Sequence, residues 1–362
     1  MKPSRSRISF EEFVLIALLA LVPVCFSRVT AECFEIPQAM LLATGALLLV
    51  WRRLAFALAA IPRVDPGLLL TSIGHGVLSG ARRDPLGVGV ILFLASAVAS
   101  TIVSPNPAQS VHGAPDSTAG LVTACATSIV YFTSRGISHR NATSLVRFAR
   151  AVGFASAVTV SYAVIQLAGL DPFVWSRTAT FGGDVRVFGT LGHPNMLGAY
   201  LGMSVPLTAW LAARTRSGIE RTLWALVATV SIVVIAATLS RGAWIGLGAT
   251  AVAWVLLRLA SRGSGGGARA RLPRRSSPIP AAAAASLLAV VVAVFLIARS
   301  PLGPNLTARV REIADLSAPT TQSRIHIWRA GLRMTHDAPL LGVGLDAFGT
   351  MFPRYRTQAY WR

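Results

Sequence analysis

Long runs of apolar residues, each roughly the length of a bilayer crossing, alternate with short polar interruptions along this chain. A membrane span needs about 20 predominantly apolar residues. Nine stretches answer to that description: 12–27, 37–51, 86–104, 119–134, 149–169, 195–213, 222–239, 242–258 and 279–298. None holds Asp, Glu, Lys or Arg in its central part. The pattern predicts an all-α polytopic transmembrane bundle. The first run, preceded by Lys2, Arg5 and Arg7 and followed by Val29-Thr30-Ala31, also has the outline of a secretory signal. Glu11 and Glu12 speak against that reading. Between residues 54 and 80 the apolar pieces are short and broken by Pro62, Arg63, Asp65 and Pro66. They read as interfacial or cytoplasmic.

Composition narrows the class. Of 362 residues, 53% are hydrophobic and 13% charged, about half the charged fraction of a soluble domain. A water-soluble enzyme and a disordered chain are both excluded. The balance of 34 Lys and Arg against 14 Asp and Glu gives a formal charge of +20. The basic residues form no stripe of the kind that binds nucleic acid; they sit in clusters between the apolar runs. With the N-terminus in the cytoplasm, the inner segments before residue 299 carry 21 of them and the outer segments four, namely Arg28, Arg177, Arg186 and Arg241. Such asymmetry over short loops encodes orientation. Residues 1–298 therefore read as a membrane domain. Residues 299–362 read as a long extracytoplasmic loop that stops before any return span, as in a truncated member of something longer. Within it, Ser323–Met334 places Ile325, Ile327, Trp328 and Leu332 at helical spacing, and Pro339, Gly342 and Gly344 end the helix. The basic linker 259–278 reads as a flexible segment beside anionic headgroups. Cys25, Cys33 and Cys125 have no metal-site or redox spacing.

Two of the outer arginines sit in suggestive contexts. Arg186 opens Arg186-Val-Phe-Gly189-Thr190-Leu-Gly192-His193-Pro194-Asn195, immediately before an apolar span that Asn195 is placed to cap. A well-made turn explains this run; so does an anion site, where helix N–H groups and an arginine fork converge. Arg241 lies in Ser240-Arg241-Gly242-Ala243-Trp244, a tight outer hairpin between two spans. A charge so near hydrocarbon costs a few kcal/mol. Snorkelling to headgroups is one explanation, and holding an anionic substrate group is the other. Arg324, with Trp328 one helical turn on, belongs to the long loop. Fixed arginines suit transfer from a lipid pyrophosphate, because the leaving group gains charge in the transition state. The outer loops offer no Asp-x-Asp pair, which speaks against a divalent metal, and no cofactor is indicated. Outer histidines His112, His193, His326 and His336 are open candidates for a base.

These pieces together resemble the O-antigen ligase and O-antigen polymerase superfamily. The matching text is Arg186-x-x-Gly189-Thr190-x-x-His193-Pro194-Asn195-x-Leu197-Gly198-x-Tyr200-Leu201, then Ser240-Arg241-Gly242-Ala243-Trp244. Arg324-x-x-x-Trp328-x-x-Gly331 follows, leading to Pro339-Leu-Leu-Gly342-Val-Gly344-x-x-x-Phe348, and Ser100–Ser104 also fits. The resemblance implies a GT-C-like membrane glycosyltransferase, metal-independent, in the bacterial inner membrane. It would move a glycan from an undecaprenyl-pyrophosphate carrier, on the outer face, to lipid A–core or to another glycan unit. Its pyrophosphate-binding arginines fall on Arg186 and Arg241, with Arg324 supporting and His193, Asn195 and Ser240 around them. The catalytic histidine of such enzymes is expected beyond residue 362. A transporter or flippase of lipid-linked glycans, and an inactive fragment, are the alternatives. A transporter calls for ionisable groups near the midplane, whereas the candidate cations here lie at the rim.

Overall fold

In a computed structural model, residues 8–30, 32–60, 84–114, 117–175, 180–181, 184–263 and 319–357 are described. The expected ninth span, most of the basic linker and the boundary at residue 298 fall outside them. The described chain is helical. Its helices are α1 (Phe10–Leu21), α2 (Glu35–Ala60), α3 (Pro85–Ile102), α4 (Pro107–His112), α5 (Leu121–Arg140) and α6 (Ala142–Leu167). After them come α7 (Pro194–Arg214), α8 (Gly218–Ala237), α9 (Arg241–Gly263), α10 (Pro319–Asp337) and α11 (Phe348–Tyr355). Between α6 and α7 lies one minimal antiparallel ladder, β1 (Thr180–Phe181) with β2 (Asp184–Val185), in which Thr180 faces Val185.

Five helical stretches are long and apolar enough to cross a membrane: Glu35–Phe56, Pro85–Ile102, Ala142–Leu167, Pro194–Arg214 and Gly218–Ala237. Their outward faces carry large apolar side chains such as Leu47, Leu92, Phe93, Met203 and Leu226. Water would not favour such surfaces and lipid does, so the chain is a multi-pass membrane protein. The span count of nine is not reached among the described residues. α1 has 12 residues, about 18 Å of rise, too short to cross. The helix from Leu121 runs on to Arg140 and includes Arg135 and His139.

Of the stretch 54–80, read from the sequence as interfacial or cytoplasmic, only residues 54–60 are described, and they are helical. α2 passes through Trp51-Arg52-Arg53 to Ala60 without a break, because no proline intervenes and the segment is rich in Ala and Leu. Arg52 is accommodated by ring faces, its guanidinium lying 5.1 Å from the Phe10 centroid and 4.9 Å from that of Phe56. Arg53 approaches Glu11 at 3.8 Å.

The chain divides into two compact units. The first contains α1 through Leu18, α2–α5, α10 and α11. Leu18 of α1 fits where α2 has Gly45; a Cβ there would lie 2.6 Å from a Leu18 methyl. α3 starts at a proline, with Asp84 as its cap accepting from the Gly87 N–H at 2.8 Å. The same carboxylate pairs with Arg135 of α5.

The second unit comprises Leu19–Phe26, α6 from Val146 onward, the ladder and α7–α9. Its core is Val160 and Ala163 of α6, Val187, Leu197 and Leu201 of α7, Val234 and Ile235 of α8, and Ala243 of α9. α7 and α9 approach closely because Gly198 has no side chain: a Cβ built there would be 2.6 Å from the Ala243 Cβ. α8 follows α7 after a three-residue connection and opens with a side-chain cap, Ser217 Oγ accepting from the Glu220 N–H.

Candidate functional site

In the second unit, the chain from Arg186 to Asn195 is held in place by a tight turn and by bonds to α6 and to Pro23. Gly189–Leu191 form one 3₁₀ turn, with Gly189 at φ +57° and Gly192 at φ +74°. Those left-handed conformations suit glycine. Thr190, fully buried, donates to the Pro23 carbonyl at 2.7 Å and so accepts from the Thr159 hydroxyl at 2.9 Å. From α6, the Gln166 side-chain oxygen accepts from the Gly189 N–H at 2.8 Å.

The cap of helix α7 lies two residues earlier than the sequence suggested. Pro194 occupies the first helical position, where a missing N–H and a fixed φ are no handicap. The cap is therefore His193, extended at φ −141° and ψ 133°, and its Nδ1 accepts from the Asn195 N–H at 3.1 Å. Asn195 does not cap the helix. Its side-chain oxygen instead accepts from Arg186 Nη2 at 3.5 Å. Loss of water around the His193 ring, and then the Arg186 charge, push the imidazole below its ordinary pKa. The neutral form is the one able to accept at Nδ1.

Arg186 also donates from Nε to the Thr238 carbonyl at 2.8 Å. That carbonyl belongs to the buried C-cap of α8, where a cation complements the helix dipole. Leu239 then turns the chain at φ +52°, a left-handed conformation that costs a side-chain-bearing residue about 1–2 kcal/mol. It is held there by burial, only 3% exposed, and by the buried neighbours Thr238 and Ser240. The Ser240 carbonyl accepts from the Trp244 N–H at 3.2 Å and its N–H donates to Thr238 Oγ1 at 3.3 Å. Ser240 thus builds the turn through its main chain. Arg241 opens α9 with 7% of its surface exposed. Arg186, Asn195, His193, Ser240 and Arg241 consequently share one region, joined through the Thr238–Arg241 turn.

Arg324 belongs to the first unit. It lies exposed on α10, which extends four residues further toward the N-terminus than the sequence pattern indicated and ends at Asp337. The buried side of α10 is Ala330 and Met334, while Trp328 and Leu332 of the expected apolar stripe are 67% and 70% exposed. His326 Nδ1 lies 3.3 Å from the Thr357 hydroxyl, and His336 is exposed beside Asp337.

Two further groups went unnoticed in the sequence. Asp171 collects Tyr162 Oη at 2.9 Å, Gln166 Nε2 at 2.9 Å, the Phe173 N–H at 3.0 Å and Trp175 Nε1 at 3.0 Å. Burial pushes this carboxyl up, but the four donors together outweigh it and hold it below the usual range. Asp171 orients Gln166, and Gln166 in turn fixes the Gly189 turn. The available signal was that Asp171 and Asp184 are the only acids between Val146 and Ile219. In the first unit, Asp346 at φ +54° accepts from the Ala114 N–H at 2.7 Å and the Ser117 hydroxyl at 3.3 Å. Its carbonyl accepts from Gln109 Nε2 at 3.0 Å. Gly344 lies against Ser104, where a Cβ would be 2.4 Å from the hydroxyl oxygen. The Ser100–Ser104 and Gly342–Phe348 pieces of the sequence pattern thereby meet. Among the described residues, no three His, Cys, Asp or Glu side chains converge as a metal ion requires.

Comparison with known proteins agrees with the sequence pattern. Residues 224–362 match the family model described as O-antigen ligase, consistent with the O-antigen ligase and polymerase superfamily. The matched segment includes the Thr238–Arg241 turn, α9, α10 and α11. No curated protein and no solved structure matches the chain.

Proposed function

We propose, from the O-antigen ligase match over residues 224–362, that this chain transfers a glycan from an undecaprenyl-pyrophosphate carrier to an acceptor outside the cytoplasm. The match supports glycosyl transfer in O-antigen or polysaccharide assembly. The acceptor is lipid A–core or a second glycan unit. The protein sits in the bacterial inner membrane with its N-terminus in the cytoplasm, and neither metal nor cofactor is needed.

The observation that carries this reading is the seating of Arg186 on the turn that presents Arg241. Arg186 is fixed by the Thr238 carbonyl and Asn195 before substrate arrives. Arg241 is largely removed from water. Fixed cations in a partly desolvated site stabilise charge that grows on a departing pyrophosphate without having to reorganise. Guanidinium suits the task because its fork pairs with two phosphate oxygens at once. His193, its imidazole pushed below its ordinary pKa by desolvation and then the Arg186 charge, caps the first turn of α7. The cations lie at helix ends, which favours chemistry at the membrane surface over translocation through the bilayer.

The test is expression of the full gene product in a bacterium lacking its own surface-glycan ligase and, separately, in one lacking the polymerase. Restored glycan ladders in either host support the proposal. Ladders that are also normal for Arg186→Ala and Arg241→Ala variants reject the assignment of these residues.

A further inference from the structure

A cationic recess lies in the second unit, at the far end of α7 from His193. The 21 residues of α7 rise about 30 Å, enough to separate the two ends by the thickness of the hydrocarbon. There the end of α7, the short connection and the first turn of α8 meet Arg150 of α6 around a cavity of about 370 Å³. Its walls include Arg150, Trp210, Arg214, Arg216, Ser217 and Glu220.

Three guanidinium groups thus face one carboxylate, and that carboxylate is already engaged. Glu220 Oε1 pairs with Arg150 Nη2 at 2.9 Å and accepts from Trp224 Nε1 at 3.1 Å. Trp224 reaches it because α6 has Gly153 beneath the ring, where a Cβ would lie 2.6 Å from the indole. Arg214 is steadied over the Trp210 ring, 5.1 Å from its centroid. The cavity keeps a surplus of two positive charges, with Arg150 held by Glu220 and Arg214 by the Trp210 ring. It opens where two candidate spans end, and exposed Ile219, Leu223 and Leu207 offer apolar surface alongside. A soluble anion has no use for that surface; an acyl chain does.

We propose that this recess binds the phosphate headgroup of an anionic membrane lipid, with the acyl chains along α7 and α8. Basic pockets between helix ends, next to tryptophan at the interface, suit such headgroups. The site is separate from the proposed donor site and is read without glycosyl transfer.

The full chain, purified in detergent, is incubated with dioleoyl phosphatidylglycerol, with dioleoyl phosphatidylcholine, or with phosphatidylglycerol plus inorganic phosphate, and bound lipid is counted by native mass spectrometry. Retention of phosphatidylglycerol is expected to exceed that of phosphatidylcholine by about fivefold and to fall by about the same factor in the double variant Arg214→Gln/Arg216→Gln. Arg221→Gln, an exposed arginine of the same end outside the cavity, leaves retention unchanged. If the double variant does not fold, Arg216→Gln alone, on the exposed connection, is expected to lower retention about twofold. Equal retention of the two lipids, or unchanged retention in the folded variants, overturns the proposal. Displacement of phosphatidylglycerol by an equal concentration of inorganic phosphate overturns it in favour of a soluble anion.

Discussion

Arg186 Nε donates to the main-chain carbonyl of Thr238 at 2.8 Å, so an arginine that precedes α7 is anchored on the last turn of α8, 52 residues away in sequence. The bond fixes the guanidinium beside the Thr238–Arg241 turn. A lysine at 186 has a single nitrogen and cannot hold both Thr238 and Asn195 from one plane. Arg186→Lys is therefore expected to fail in glycan assembly nearly as badly as Arg186→Ala, each losing about 100-fold or more in transfer rate. Arg241→Ala is expected to lose at least as much. Glycan ladders with membrane insertion checked in parallel decide this, and a functional Arg186→Lys variant would show that charge alone suffices.

His193 provides a pH test of the same contact. Its folded pKa lies below the ordinary value, so the native state favours the neutral ring. Its contribution to stability is complete above the unfolded value, about 6.5, and is lost as the pH falls from there through the folded pKa. Desolvation is the larger cause and the Arg186 charge the second. Arg186→Ala is expected to move the His193 pKa upward while leaving it below the ordinary value. Titration of histidine-labelled protein by NMR measures it; an unmoved pKa would mean that the Arg186 charge does not reach the ring.

Gly198 sets the distance between α7 and α9. Gly198→Ala brings a Cβ to 2.6 Å from that of Ala243, and overpacking of this kind costs roughly 1–3 kcal/mol. Adding Ala243→Gly is expected to restore part of the loss. Gly202, one turn later, has nothing within 4 Å of a built Cβ, so Gly202→Ala is expected to be neutral or mildly stabilising. Thermal unfolding of the three variants and the wild type in one detergent tests the set.

Asp346 ties the Gly342–Phe348 segment to the chain around Ala114. Asp346→Ala removes the acceptor for Ala114 and Ser117 and places alanine at φ +54°. A cost of about 1–3 kcal/mol is expected, seen as faster amide exchange at Ala114 and faster proteolysis within 338–347. Asp346→Asn, which tolerates the left-handed conformation and keeps one acceptor oxygen, is expected to lose less. Equal exchange in all three proteins would show that the contact does not hold the segment.

Much of this was visible in the order of residues. Apolar run length revealed the long helices, but the cap of α7 read at Asn195 went to His193, because Pro194 took the first helical position. The pairing of Arg186 with the Ser240–Arg241 hairpin was suggested by two outer arginines beside small residues. Other features depend on contacts that no local pattern encodes. Leu239 reads as an ordinary apolar residue, and only burial within the turn forces it into a left-handed conformation. Asp171 reads as a loop charge until four donors from α6 and the following loop close on it. The rings of Phe10 and Phe56 that accept the Arg52 guanidinium come from a different helix and from one turn further on.

The central claim is that Arg186 and Arg241 jointly hold a lipid diphosphate. Binding of undecaprenyl pyrophosphate to the full chain in nanodiscs, compared among wild type, Arg186→Ala and Arg241→Ala, tests it most directly. Saturable binding by the wild type, weakened by about tenfold or more in each folded variant, is expected. Equal affinity in all three proteins would contradict the account.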